Sequence, residues 1–187
     1  MYSTSDFRKG LKIEFKDDPY LIVDFLHVKP GKGGAFVRTK IKNMITGRVL
    51  EQTFRSGEKV GVPDLEEKNM QYLYQDAEGY CFMDNDTYEQ LFLSEDQVGE
   101  ARNFLKDNTK LDVLFYQGRA IGLDLPTTVN LTVVKSDPGL RGDTAAGATK
   151  PATLETGLVV QVPLFVEEGD VLKIDTRSGE YLERVRE

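Results

Sequence analysis

Few residues of this chain are placed to do chemistry. Lys32 stands in Pro30-Gly31-Lys32-Gly33-Gly34, a single cation among residues with little or no side chain. His27 is the one histidine and Cys81 the one cysteine. They leave no imidazole pair for catalysis, no zinc cluster and no internal disulfide. Cys81 sits in the apolar run Tyr80-Cys81-Phe82-Met83, where a buried, inert thiol is expected. A phosphate loop needs Gly-x-x-x-x-Gly-Lys-Ser/Thr before a helix, but Lys32 is followed by glycines and a strand pattern. A Schiff-base lysine needs a desolvating pocket, and Lys32 reads as a loop tip. Gly118-Arg119-Ala120-Ile121-Gly122 lacks the strand-to-helix setting of a dinucleotide site. No nucleophile–base pair has support, so no catalytic residue, metal or cofactor is expected. Two readings of the tip stay open. It is either a flexible turn with a solvated lysine, or bare backbone carrying a lysine to where bulk cannot go.

The flanking residues must hold that tip. Ala35, Val37, Thr39 and Ile41 alternate with Phe36, Arg38, Lys40 and Lys42. A period of two predicts a strand with one core face and one basic face. The mainly apolar run Leu21 to Val28 reads as the other arm of a hairpin. Pro30-Gly31 predicts a type II turn, with glycine accepting φ > 0. From Phe25 through Leu50 there is no acidic residue, while Lys29, Lys32, Arg38, Lys40, Lys42 and Arg48 fall inside.

The rest of the chain is strand-rich. It has 187 residues, 40% hydrophobic and 29% charged, as in ordinary globular domains. Turn signals at Lys16–Pro19 and Thr46-Gly47 divide residues 1–63 into about five strands, a small barrel. Residues 64–127 carry strand patterns at Lys68–Tyr74, Gly79–Met83 and Leu111–Tyr116. The one convincing helix starts at Ser94, where Ser94-x-x-Gln97 has capping-box form and Val98, Ala101 and Leu105 follow at helical spacing. That is an OB-fold pattern. Tyr72, Tyr74, Tyr80, Phe82, Tyr88 and Phe92 could be base-stacking platforms, but in a segment of charge −9 they are expected in core and cross-strand packing. Residues 128–187 predict a second such barrel, with a loop of small residues over Asp137–Gly147 and a Ser178-Gly179 hairpin turn.

Net charge is −7, but it is unevenly spread. Residues 1–63 carry +5, residues 64–127 carry −9 and residues 128–187 carry −3. Such asymmetry predicts that one end meets a polyanion while the middle stays away from it. Met1–Asp6 lacks the order of a signal peptide, and no run approaches membrane-spanning length. A cytoplasmic protein with no membrane partner is expected. The residues alone point to a modular β-barrel protein that binds RNA through one end and presents Lys32.

His27-Val28-Lys29-Pro30-Gly31-Lys32-Gly33-Gly34-Ala35-Phe36 resembles the modification loop of the bacterial translation elongation factor P family. Lys150 through Pro163 is similar to the signature of that family's last domain. Arg141-Gly142-Asp143-Thr144 and Ser178 through Val185 resemble two further family segments. The match runs co-linearly over essentially the whole chain. The resemblance implies three small barrels: an SH3-like domain over 1–63, then OB-folds over 64–127 and 128–187. It implies a protein that binds the ribosome beside peptidyl-tRNA and rescues synthesis at consecutive prolines; a monomer is expected. It also implies that Lys32 is modified by a dedicated enzyme, by β-lysylation or an aminopentanol extension; members with arginine at the tip are rhamnosylated. Lys32 would lie along the acceptor end of the tRNA, Arg141, Gly142, Asp143 and Thr144 would face the exit-site codon, and Tyr181 and Arg184 would lie near the tRNA elbow; Lys29 is expected among the residues that bind tRNA or ribosomal RNA. The basic face of Arg38, Lys40 and Lys42 as an RNA contact comes from alternation instead. The rivals are a generic single-stranded RNA-binding protein and a lysine-dependent enzyme.

Overall fold

The computed structural model describes residues 1–139 and 147–186. Packing divides the chain into two units: Met1–Glu67 with Leu114–Gly122, and Lys68–Val113 with Leu123–Glu187.

The first unit opens with β1 (Tyr2–Ser3) and a 3₁₀ turn over Thr4–Asp6, closed by reciprocal bonds between Ser3 and Asp6. Next come β2 (Lys12–Phe15), β3 (Asp18–Val28), β4 (Phe36–Asn43), β5 (Val49–Arg55) and β6 (Lys59–Val60). Strands β2 to β5 form one antiparallel sheet in sequence order, and β1 pairs with β6. Lys16 and Asp17 both have positive φ, 51° and 63°. Those values give a two-residue turn whose twist suits the hairpin β2–β3. Asn43 sets the turn after β4. Its buried side chain accepts from the Ile45 and Thr46 amides at 2.8 and 2.9 Å and donates to Asp18 at 2.9 Å. The core is Ile13, Ile22, Val37, Ile41 and Phe54, all fully buried, with Phe7 edge-on to Phe54 at 5.4 Å.

The next strands are β7 (Leu65–Asp76), β8 (Gly79–Asp84) and β9 (Gln90–Leu93). After them come the helical turn α1 (Glu95–Val98), then β10 (Lys110–Tyr116) and β11 (Arg119–Asp124). Their sheet order is β11-β10-β7-β8-β9. Ser94 caps α1 as expected: its hydroxyl accepts from the Gln97 amide at 3.2 Å, and the Gln97 side chain accepts from the Ser94 amide at 3.0 Å. The helix is shorter than its spacing predicts. Gly99, at φ +56°, ends it after one turn, and a 3₁₀ segment continues over Gly99–Phe104. Tyr72, Tyr80 and Phe82 are buried as expected. Tyr88 is exposed, while Tyr74 and Phe92 remain part-exposed and pack edge to face across the strands. A bulge between Tyr72 and Tyr74 pairs them with Phe82 and Cys81, which point to opposite faces, so Tyr74 turns outward.

The last strands are β12 (Thr128–Ser136), β13 (Thr149–Leu154), β14 (Val159–Pro163), β15 (Val171–Asp175) and β16 (Tyr181–Arg184). They pair in the order β14-β13-β12-β15-β16. Leu131, Leu154, Val162, Val166, Leu172 and Ile174 form a fully buried core, and Phe104 joins it. Gly179, at φ +74°, makes the predicted turn before β16. The described residues are thus all-β with one short helix, built of small open barrels.

Candidate functional site

The site grows from the hairpin β3–β4. Ile22 pairs with Ile41 and Asp24 with Lys40, so Val23 is an extra residue in β3. That bulge reverses the alternation. Beyond it Phe25 packs toward the core, while Asp24, Leu26 and Val28 face outward with Phe36, Arg38, Lys40 and Lys42 of β4. Val37, Thr39 and Ile41 are buried, as the alternation in β4 requires. On the far side β5 aligns Arg55 with Phe36, Thr53 with Arg38, Glu51 with Lys40 and Val49 with Lys42.

The last rung of the hairpin is Val28 opposite Phe36. Seven residues, Lys29 to Ala35, join the arms, and Lys29 through Gly34 are all exposed. The loop root is tied to β5: the Ser56 amide donates to the Ala35 carbonyl at 2.9 Å. Lys32 stands at the tip, in open solvent. Gly33, at φ +106°, is the loop glycine in the left-handed region, whereas Gly31 is not. The reversal is therefore not the type II turn expected at Pro30-Gly31. A seven-residue loop spreads the bend, and its single left-handed residue falls next to the lysine.

Charge on this hairpin is graded. Asp24 meets Lys9 at 3.0 Å. The hydrogen bond from Lys9 and its charge, together with the Phe25 amide, hold the Asp24 carboxyl below its ordinary pKa, with Lys40 adding to the effect. Lys40 thus lies between Asp24 and Glu51, while Arg38 lies between Leu26 and Thr53 and Lys42 between Leu21 and Val49. Arg55 was absent from the sequence-derived set. It is exposed and shares the outer face with Phe36 and Arg38, and its alternation with buried Phe54 was the signal that could have found it.

Other expected site residues belong to the second unit. Tyr181 begins β16 and its ring packs against the core of β12–β16. The Arg184 guanidinium stacks on Phe165 at 5.1 Å and meets Asp170 at 3.4 Å. Both residues therefore do structural work. Arg141, Gly142, Asp143 and Thr144 lie outside the described residues. The segments flanking them are anchored: buried Lys150 donates from Nζ to the Asp137 carbonyl at 2.7 Å, and Gly139 lies against Leu164. Among the described residues no group of three or more histidines, cysteines or carboxylates could hold a metal ion. Nor is any of their helices long and apolar enough to cross a membrane.

Three family models match in series. The elongation factor P KOW-like domain matches residues 3–60, its OB domain 65–123 and its C-terminal domain 129–184. The chain belongs to the elongation factor P family. Elongation factor P of Bdellovibrio bacteriovorus is 59% identical over 185 residues, which are 99% of this chain and 98% of the relative. That of Moorella thermoacetica is 58% identical over 98% of this chain and all of its own. In structure, the eukaryotic translation initiation factor 5A from Methanococcus jannaschii superposes with a TM-score of 0.56, covering 66% of this chain and 93% of that one. At 23% identity that is a likeness of fold. Elongation factor P is a translation factor and not an enzyme, so its Lys32 hairpin belongs to a protein that works with the ribosome.

Proposed function

We propose that this elongation factor binds the ribosome next to peptidyl-tRNA and promotes peptide-bond formation at consecutive prolines by holding the acceptor end in place. The observation that carries this reading is the hairpin itself. It puts an exposed lysine at the end of a bare seven-residue loop within a tract free of acidic residues. Proline reacts slowly because its ring fixes φ and limits how the nascent chain can sit. A partner that restricts the peptidyl-tRNA to a reactive geometry lowers the entropic part of the barrier and needs to donate no chemistry.

In this reading Lys32 is the contact at the acceptor end and the residue that a dedicated enzyme modifies. Lys29, Arg38, Lys40 and Lys42 meet tRNA or ribosomal RNA. Tyr181 and Arg184 lie toward the tRNA elbow, and Arg141, Gly142, Asp143 and Thr144 face the exit-site codon. The factor acts as a monomer in the cytoplasm. Its domains are 1–63, 64–127 and 128–187; the residues matched by the three family models support that division.

Two measurements test the proposal. Mass spectrometry of the protein from its native cell should find a defined addition on the peptide containing Lys32; an unmodified lysine in every copy contradicts a modified tip. Binding should require the ribosome. A generic single-strand RNA binder neutralising about six phosphates would instead bind free RNA with a slope of about −4 in log K against log salt.

A further inference from the structure

We infer that the outer face of β7–β8–β9 is a docking site for an arginine-rich polypeptide segment. The register places Tyr74, Cys81 and Phe92 in one row across the three strands. Tyr74 and Phe92 remain 43% and 38% exposed, while Cys81 between them is fully buried. The two rings lie edge to face at 6.3 Å. The Cys81 thiol donates to the Gln90 side-chain carbonyl at 3.7 Å, so the floor between the rings is held in place. The loop between β8 and β9 presents a further ring, Tyr88, 71% exposed and at φ +61°. Large rings this open are the less usual choice for a strand face with no partner.

Charge identifies the occupant. Residues 69–101 hold eight carboxylates and no lysine or arginine. Asp76 and Glu78 lie close enough to act on Tyr74. Oligonucleotides bind OB-folds on such a strand face and stack their bases on its aromatic rings. Here the field repels phosphate. A guanidinium satisfies both features, because it is planar enough to stack on a ring and its fork matches a carboxylate. Lysine offers the charge without the stacking geometry. This surface is separate from the Lys32 hairpin, and its test needs neither ribosome nor tRNA.

The full-length protein is titrated with a fluorescent nonapeptide of alternating arginine and glycine, its lysine counterpart, and a nine-nucleotide uridine RNA. The arginine peptide should bind saturably and more tightly than the lysine peptide. Tyr74→Ala with Phe92→Ala should weaken it by about tenfold, as expected for two lost cation–π partners. Tyr74→Phe, which keeps the ring, should stay within about twofold of the parent, separating stacking from damage to the fold. Nuclear magnetic resonance shifts should change at Tyr74, Cys81, Gln90 and Phe92. The proposal is overturned by any of four results: no saturable peptide binding at millimolar concentration; equal binding of both peptides, unaffected by the double change; a loss in Tyr74→Phe as large as in the double variant; or RNA that binds the parent and is lost on the double change, which would make this a nucleic-acid face.

Discussion

Lys40 pairs in register with Asp24, whose carboxylate also meets Lys9 at 3.0 Å, and with Glu51, so two carboxylates lie beside its charge. Arg38, two residue pairs nearer the loop, faces Leu26 and Thr53 and has no carboxylate in register. Alternation alone makes the two equivalent; the neighbouring strands make them different. Arg38→Ala should therefore reduce the salt slope of ribosome binding by about one, as for a lost phosphate contact. Lys40→Ala should reduce it by clearly less, because two carboxylates lie beside that cation. Equal slopes for the two variants would show that cross-strand neutralisation does not matter here. Thr39 makes a second residue-level case. It is fully buried, and its hydroxyl finds no hydrogen-bond partner among the described residues. Thr39→Val should raise stability by about 1 kcal/mol by removing an unmet polar group. The urea midpoint reads this directly, and a fall would mean that the hydroxyl has a partner, such as water.

Gly79 shows how tightly one element can constrain another. Its φ is +128°, and an added Cβ would stand 2.5 Å from the Leu93 carbonyl oxygen of β9. Gly79→Ala should cost about 3 kcal/mol, combining backbone strain with a displaced strand; thermal unfolding of the variant measures it. Asp84 fixes the loop after β8, accepting from the Asp86 and Thr87 amides at 2.8 and 3.1 Å. Those two backbone bonds hold its pKa below the ordinary 3.8. A depressed carboxylate contributes stability above its ordinary pKa and loses it as pH falls through the depressed value. Acid unfolding should thus begin at slightly higher pH in Asp84→Asn, which lacks that contribution throughout. An unchanged acid profile would remove Asp84 from the account. Much at this level was readable beforehand: the alternation of β4, the Ser94 capping box and the turns near Asp17, Gly47 and Gly179 are local signals, and each formed. The bulges at Val23 and Leu73 were not readable. A bulge is set by the pairing partner, and it moved Leu26 and Tyr74 to the outer face. Strand β13 carries a weak local signal because Pro151 reads as a strand breaker. It is tolerated one residue beyond the last pair with β12, Ser136 opposite Ala152.

Over the whole molecule, charge is segregated along the chain more clearly than any motif. The tract around Lys32 lacks carboxylates and residues 69–101 lack cations, so the two stretches should seek opposite partners. The uneven charge was legible from composition, as was the all-β class. Phe104 was not: helical spacing marked its neighbours Ala101 and Leu105, yet its ring lies in the core of β12–β16. Long-range burial of that kind has no local signal.

The proposed function rests on Lys32 as the working tip of an otherwise bare loop. The most direct measurement is the rate of peptide-bond formation through three consecutive prolines in a reconstituted translation system, comparing protein from the native cell with its Lys32→Ala variant. The parent should speed these steps, the variant should lose most of the gain, and both should leave a proline-free message unchanged. A variant as effective as the parent would show that the hairpin tip is a solvated turn and that the activity resides elsewhere in the chain.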